Sequence, residues 1–246
     1  PGKDSPENQM PGTWKSTRGS KPAEELGEAP VKKWDTDPRV FREMAAKRAG
    51  IDIYQYLEQQ ATQLSPAESG LLALDWWNGN RSILVDADLS GLLIGQTLAT
   101  RPHEIYRALL EATAFGTRQI IEAFTSQGVI IEELIACGGL ASKNPLMLQI
   151  YSDVTGRLIK VAASDQASAL GAAMYGAVAA NVHSDITQAS RKMAKVRKKV
   201  YRPKISNKKV YDKLYLEYTK LHDQFGRDSN STMKILKALK NKALGL

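Results

Sequence analysis

A glycine pair followed by a lysine and an asparagine is the part of the sequence best suited to chemistry. The apolar run at residues 134–137 is typical of a buried strand, and Gly138-Gly139 follows it directly. Lys143 and Asn144 come next, and Asn144 is a good N-cap for a helix. Because glycine has no Cβ, a ligand can approach the backbone of such a turn closely. The pattern therefore indicates a nucleotide-binding turn or an ordinary strand-to-helix turn.

The elements after this turn predict an α/β fold. Pro145 suits the first turn of a helix, and Gly156 lies where a left-handed residue should end it. Residues 158–161 are typical of a second strand, and Asp165 is expected to cap a second helix rich in small residues. The order strand–helix–strand–helix predicts a parallel pair of strands with a right-handed crossover.

The elements before the turn must cover that sheet. Residues 70–75 are typical of a buried strand, and the Asn78-Gly79 pair that follows predicts a tight turn. Trp76 and Trp77 stand between them, and they form a packing corner or a ligand platform. A long helix capped by Thr100 should then present an apolar stripe. The stripe consists of Ile105, Ala108, Leu109, Ala112, Phe115 and Ile120.

Composition excludes several classes of protein. At 246 residues the chain can form one large domain or two small ones with a sizeable core. No apolar run approaches the roughly 18 residues of a membrane span. One cysteine excludes an internal disulfide, which fits a reducing compartment. We therefore expect a soluble cytoplasmic protein without a membrane partner.

The net charge of +8 is unevenly distributed. Residues 191–246 hold 17 Lys and Arg against 4 Asp and Glu, whereas residues 1–190 hold 17 against 22. A basic segment can bind nucleic acid or another polyanion. The alternative, which we favour, is that this segment forms a solvated helical surface. One helix of the segment has an aromatic face and ends at Gly226. His183 and His222 are isolated and have no spacing that predicts a metal site.

Three regions are expected. Residues 1–33 are rich in Pro, Gly, Ser, Lys and Glu and poor in large apolar residues, so they are predicted to be disordered or foreign to the fold. Residues 34–190 should form the main domain, whose first helix starts at Asp37-Pro38. Residues 191–246 should form a basic helical extension that packs on this domain.

Three blocks of residues resemble the C-terminal domain of the FGGY family of carbohydrate kinases. Gln96 and Leu109 depart from the family's usual signature. Gln166 and the segment 74–81 resemble the branch of the family that phosphorylates L-ribulose. The resemblance extends over residues 35–226. The blocks are residues 91–95 with 104–116, residues 137–144 with 152–156, and residues 165–173.

The resemblance implies an actin-like, ribonuclease-H-type ATPase domain, the C-terminal half of a two-domain sugar kinase. Gly138 and Gly139 would lie against the adenosine of ATP, and Lys143 and Asn144 would line the turn. A plain N-cap is the structural alternative for Asn144, and a solvated surface position is the alternative for Lys143. The family's amino-terminal half, which supplies the sugar pocket and the base, has no counterpart in these residues, so no catalytic, sugar-binding or metal-binding residue is assigned.

The implied reaction is phosphorylation of L-ribulose by ATP, with Mg²⁺, to give L-ribulose 5-phosphate in L-arabinose catabolism. The chain alone is expected to be inactive, because phosphoryl transfer needs a positioned acceptor and base as well as nucleotide. A non-catalytic nucleotide-binding or interaction module is the alternative. Assembly into a homo-oligomer is left open, and binding of nucleic acid is not expected.

Overall fold

Helices surround two small sheets in the computed structural model, which describes Lys47 and residues 50–245. The predictions for residues 1–33 and for a helix starting at Asp37-Pro38 lie outside the described residues. The helices are α1 Ile53–Thr62, α2 Pro102–Ser126, α3 Gly139–Lys143, α4 Pro145–Thr155, α5 Ala167–Ala179, α6 Ile186–Met193, α7 Ile205–Gly226 and α8 Thr232–Leu244. The strands are β1 Leu72–Leu74, β2 Leu92–Ile94, β3 Glu133–Ala136, β4 Leu158–Ala162 and β5 Val196–Tyr201.

The larger sheet has the strand order β3-β4-β5. β3 and β4 are parallel, as predicted, with Leu134 opposite Ile159. β5 pairs antiparallel with β4 and was not predicted. The alternation of apolar and polar residues that marks a strand is interrupted in β5 by Arg197, Lys198 and Lys199. Charged residues of this kind are common on edge strands. The basic segment 191–246, expected to be helical, therefore contains a strand of this sheet near its start, while the domain boundaries themselves remain predictions.

Helix α4 confirms the prediction made from its end signals. The Oδ1 atom of Asn144 accepts a hydrogen bond from the N–H of Met147 at 2.8 Å. Gly156 has a left-handed backbone with φ of +66° and ends the helix. α4 packs between the sheet and the helices α2 and α7. It thereby fixes the position of the glycine turn that precedes it.

Two predicted helix caps are wrong. Helix α2 begins after Arg101, whose N–H donates to Glu104, while the Thr100 hydroxyl accepts a hydrogen bond from the N–H of Thr97. Helix α5 begins after Gln166, and Asp165 forms an ion pair with Arg197 of β5 at 2.7 Å. In both places the side chain that the local pattern assigned to the cap binds another residue instead, Thr97 for Thr100 and Arg197 for Asp165.

The aromatic face of α7 is buried, as its spacing predicted. Tyr211, Tyr215 and Tyr218 pack around Phe115 of α2, with ring centroids 5.3–6.1 Å from that of Phe115. Aromatic pairs at such distances add about 0.5–1.5 kcal/mol each to the gain from burial. This cluster joins α7 to α2. Across the described residues, no helix has both the length and the apolar character that a bilayer span requires.

Asp75 lies at the end of β1 against this aromatic cluster. Its Oδ1 atom accepts a hydrogen bond from the hydroxyl of Tyr218 at 2.9 Å. Burial raises the pKa of the Asp75 carboxyl above its ordinary value, and the hydrogen bond from Tyr218 opposes this only in part. Ionisation of the Asp75 carboxyl therefore costs stability progressively as the pH rises from its ordinary pKa through the raised folded pKa.

Asp75→Asn should become more stable relative to the wild type as the pH rises. Asparagine cannot ionise, so the variant avoids the cost of a buried charge. The gain should grow from the ordinary pKa of about 3.9 up through the raised folded pKa and then level off. Denaturant midpoints measured across this range test the prediction, with Glu217→Gln as an exposed control. A gap that shrinks as the pH rises would contradict it.

Candidate functional site

The turn after β3 depends on Gly138. This residue has φ of +88°, in the left-handed region where a side chain is strained. A Cβ atom built on Gly138 would meet no atom within 4 Å. The glycine is therefore required by the backbone conformation, and the space beside it is open.

Gly139 differs from its neighbour, because it is the first residue of α3 and its φ lies outside the left-handed region. It is exposed, and a Cβ atom added to it would also meet no atom within 4 Å. A side chain at this position would project into open space without straining the backbone. The space beside both glycines is open, but only at Gly139 could a side chain fill it without straining the backbone.

Asn144 is held by two protein partners. Only 5% of the residue is exposed. While Oδ1 caps α4, the Nδ2 group donates to the hydroxyl of Tyr106 at 2.7 Å. The Tyr106 hydroxyl is protonated at neutral pH, and burial raises its pKa further above the ordinary value. Asn144 therefore has the structural role that the sequence left open, and its contact with a nucleotide stays a prediction.

Lys143 is the last residue of α3 and is exposed. It makes no ion pair within the described part of the chain. A lysine ammonium on a long flexible stem is suited to reach a phosphate near the turn. The structure thus leaves both alternatives for Lys143 open, a phosphate contact or a solvated surface position.

The N-terminus of α4 is closed to anions. The N–H of Leu146 donates to the Oε1 atom of Glu58 at 3.2 Å, and the N–H of Met147 donates to Asn144. Partial burial raises the pKa of Glu58. The sequence analysis missed Glu58, because it lies on α1, 88 residues from its partner. The start of α4 is therefore not available to bind a phosphate near this turn.

A cleft of about 810 Å³ lies between α1 and α4, and none of the four predicted residues lines it. Its lining mixes apolar side chains with polar ones, which include Glu58, Gln149 and Asp153. Among the described residues, no group of three or more His, Cys, Asp and Glu is placed to hold a metal ion. The glycine turn lies outside this cleft, and the space beside Gly138 and Gly139 is open.

Comparison with known proteins connects this geometry to one family. The description "FGGY family of carbohydrate kinases, C-terminal domain" matches residues 31–180. A ribulokinase from Anoxybacillus flavithermus is 57% identical over 203 residues, which are 81% of this chain and 36% of that protein. The chain therefore spans about a third of the length of the curated relatives it matches.

Solved structures support the same fold. A xylulose kinase from Rhodospirillum rubrum superposes with a TM-score of 0.62 at 23% identity, over 75% of this chain and 36% of that one. A glycerol kinase from Plasmodium falciparum, solved with ADP, gives a TM-score of 0.59 at 23% identity, over 73% of this chain and 35% of that one. At these identities the likeness concerns the fold alone. It is that of the C-terminal, actin-like domain of sugar kinases.

Proposed function

Because the chain belongs to the FGGY family of carbohydrate kinases, we propose that it is the nucleotide-binding part of an enzyme that phosphorylates L-ribulose with ATP. The product is L-ribulose 5-phosphate, and the reaction serves L-arabinose catabolism in the cytoplasm. The choice of sugar rests on the relatives named ribulokinase, at 56–57% identity to this chain.

One observation carries the nucleotide part of this proposal. The open turn Gly138-Gly139 follows the carboxyl end of β3, a strand that pairs in parallel with β4. In open α/β sheets, ligands bind outside the carboxyl ends of the strands. The adenosine of ATP lies over the two glycines, and Asn144, which caps α4 and binds Tyr106, holds the end of the turn in place. The glycerol kinase solved with ADP is consistent with a nucleotide in this fold.

The phosphates and the metal extend beyond the turn in this proposal. Lys143 is placed to reach a phosphate oxygen as a point charge. Mg²⁺ in kinases is held largely by the phosphates themselves, with one or two carboxylates and several waters. The described residues contribute no carboxylate cluster to such a site. The nucleotide and the rest of the enzyme would therefore supply the ligands of Mg²⁺.

The exposed flank of β3 fits a domain that needs the rest of the enzyme. Among the described residues, β3 pairs only with β4, which leaves its other edge without a strand. The side chain of Ile135 in β3 is 57% exposed. Parallel sheets are normally covered on both faces, and free strand edges are normally protected. In this proposal, the part of the enzyme that corresponds to the other two-thirds of the relatives covers the free edge of β3 and Ile135. The same part supplies the acceptor site.

Gly139→Val should weaken the binding of ADP by at least about tenfold while leaving the fold intact. The isopropyl group would fill the space over the turn, and a loss of 1.4 kcal/mol corresponds to tenfold in affinity. Valine has no lower helix propensity than glycine, and the φ at position 139 does not strain it. Calorimetric titration of ADP with Mg²⁺, together with denaturant midpoints, measures the two effects separately.

Gly138→Ala is the matched control for this experiment. Its φ of +88° should make alanine cost on the order of 1–2 kcal/mol of stability. The two substitutions should therefore have different effects: Gly139→Val should weaken ADP binding, whereas Gly138→Ala should lower the stability of the fold. If folded Gly139→Val binds ADP as tightly as the wild type, the nucleotide does not lie over this turn and the proposal fails.

A further inference from the structure

A second pocket lies where β3 begins, whereas the glycine turn follows the other end of that strand. Its volume is about 440 Å³, within the range of small-molecule sites. Helices α2 and α7, the loop before β3 and the end of α4 all contribute to its walls. None of the four predicted nucleotide-site residues lines it. Its charged lining residues are three cations and two carboxylates, namely Arg118, Arg157, Lys208, Glu122 and Glu132.

Arg157 is half-buried and forms no ion pair within the described part of the chain. Its Nε atom donates to the carbonyl oxygen of Ile131 at 2.7 Å, and its Nη1 atom donates to that of Thr155 at 2.8 Å. These two bonds fix the plane of the guanidinium group, while Nη2 has no hydrogen-bond partner among the described residues. Arg157 is thus an oriented donor whose charge has no nearby counter-ion, and such a group favours an anion.

Arg118 supplies a second guanidinium group to the walls of this pocket. Its Nε atom donates to Glu122 at 2.8 Å, and its Nη1 atom donates to Asp212 at 2.7 Å and to the carbonyl oxygen of Val154 at 3.2 Å. The ring of Tyr215 covers one face of the group, with its centroid 4.0 Å from Cζ. The Nη2 atom makes no hydrogen bond to any described residue. Arg118 is therefore held in place and keeps one donor group for a ligand.

The positive charge that remains uncompensated in the pocket belongs to Arg157. Arg118 and Lys208 share the carboxylates of Glu122 and Asp212, since the Nζ atom of Lys208 lies 2.7 Å from Asp212. Two cations are thus matched by two anions in this network. A small anion consequently suits the pocket better than a neutral or cationic ligand, because it would meet one unmatched cation and two unused guanidinium donor groups.

Glu132 limits how tightly an anion can bind. It lines the pocket, is exposed and forms no ion pair with another described residue. Its carboxylate repels an anion, although solvent screens part of this repulsion. A phosphate group has enough oxygen atoms to accept from both Arg118 and Arg157, whereas the two oxygens of a carboxylate are filled by one guanidinium fork. The two arginines therefore favour a phosphate group over a carboxylate.

We propose that the pocket lined by Arg118 and Arg157 binds a phosphate group, either as free inorganic phosphate or as part of a small phosphate ester. The Nη2 atoms of both arginines donate to the phosphate oxygens, and Arg157 supplies the compensating charge. The affinity is roughly millimolar, because the pocket is open and Glu132 opposes the ligand. The site does not depend on nucleotide binding at the glycine turn.

Titration of the full chain with inorganic phosphate at constant ionic strength tests the site, with backbone NMR shifts as the readout. Wild type should show saturable shifts around residues 131–132 and 156–157, half-complete below about 20 mM. Arg157→Lys should raise this midpoint at least about fivefold, because lysine keeps the charge but loses the planar fork. Methyl phosphate is the second probe: comparable binding assigns the phosphate of an ester, whereas binding of inorganic phosphate alone assigns the free ion.

Glu132→Gln should lower the midpoint about two- to threefold, because it removes the repelling charge without breaking an ion pair of the described residues. Glu217→Gln makes the same change of charge at an exposed position outside the pocket, and it should leave the midpoint unchanged. Both variants keep the glycine turn, so their ADP binding should equal that of wild type.

Three results would overturn this site. They are absence of saturable shifts in wild type, shifts confined to the glycine turn, and a midpoint that Glu132→Gln leaves unchanged. The last result decides the question even if Arg157→Lys fails to fold. Because ADP binding is measured on the same samples, failure of this site is distinguishable from failure of the nucleotide proposal.

Discussion

Arg107→Ala is expected to lower the free energy of unfolding by about 3–5 kcal/mol, because it leaves a buried charge without its partner. Arg107 is 4% exposed, and its Nε atom donates to Glu111, itself 3% exposed, at 2.8 Å. Its Nη1 atom donates to the carbonyl oxygens of Ala61 and Leu64 at 2.9 and 2.7 Å. Its Nη2 atom donates to the hydroxyl of Tyr211 at 3.0 Å. One side chain therefore ties α1 and α7 to α2.

The control for this prediction is Arg227→Ala. Arg227 pairs with Asp223 at 2.9 Å, but its side chain is 56% exposed. An exposed pair of this kind contributes about 0–1 kcal/mol. Denaturant unfolding of both variants gives the comparison. If Arg107→Ala costs no more than Arg227→Ala, the buried cluster does not stabilise the fold.

A double variant distinguishes the net contribution of the ion pair to stability from the cost of leaving one of its charges unpaired. Arg107→Met with Glu111→Leu should recover part of the loss, because a buried ion pair can often be replaced by apolar residues of similar volume. The recovery should be incomplete, since Tyr211 also donates to Glu111 at 2.8 Å. Burial raises the pKa of Glu111, so lowering the pH should relieve part of the loss in Arg107→Ala by protonating the unpaired carboxylate.

The chain alone should release no ADP in an L-ribulose-dependent manner above background. Phosphoryl transfer needs an acceptor hydroxyl, a base and the γ-phosphate held in line, and the described residues offer only the proposed nucleotide turn. Mixing the chain with the remaining amino-terminal part of the Anoxybacillus flavithermus ribulokinase should raise the rate at least about 1,000-fold if the two parts associate. A coupled assay for ADP measures both conditions. Gly139→Val in the same mixture is the control.

Two other results would change the account. Turnover by the chain alone would place the acceptor site within residues that are assigned structural roles above. ADP binding without activity in any mixture of associated parts would favour the alternative raised by the sequence, a nucleotide-binding module that has lost catalysis.

The parts of the fold that were predicted correctly depend on local signals. Asn144, Pro145 and Gly156 mark the ends of α4 within 13 residues of one another, and the structure confirms each role. The apolar run before Gly138 predicted β3, and the order of elements predicted its parallel pairing with β4. Each of these features depends on neighbours in the sequence, so a single sequence contains the information.

The parts that were missed depend on distant partners. Glu58 closes the start of α4 from 88 residues away, and Arg107 binds Tyr211 across 104 residues. Asp165 was assigned to a cap but binds Arg197, a residue of the unpredicted strand β5. No local pattern reports such contacts, because a charged residue on a helix is usually solvated and only packing shows which one is buried.

Hydrogen exchange of the backbone amides, with and without ADP and Mg²⁺, tests the central claim most directly. The account predicts slower exchange for the residues around Gly138 and Gly139 when ADP is bound at saturating concentration. The cleft between α1 and α4, lined by Glu58 and Gln149, should show no change of its own. Protection confined to that cleft, with the glycine turn unaffected, would contradict the assignment of the turn as the nucleotide site.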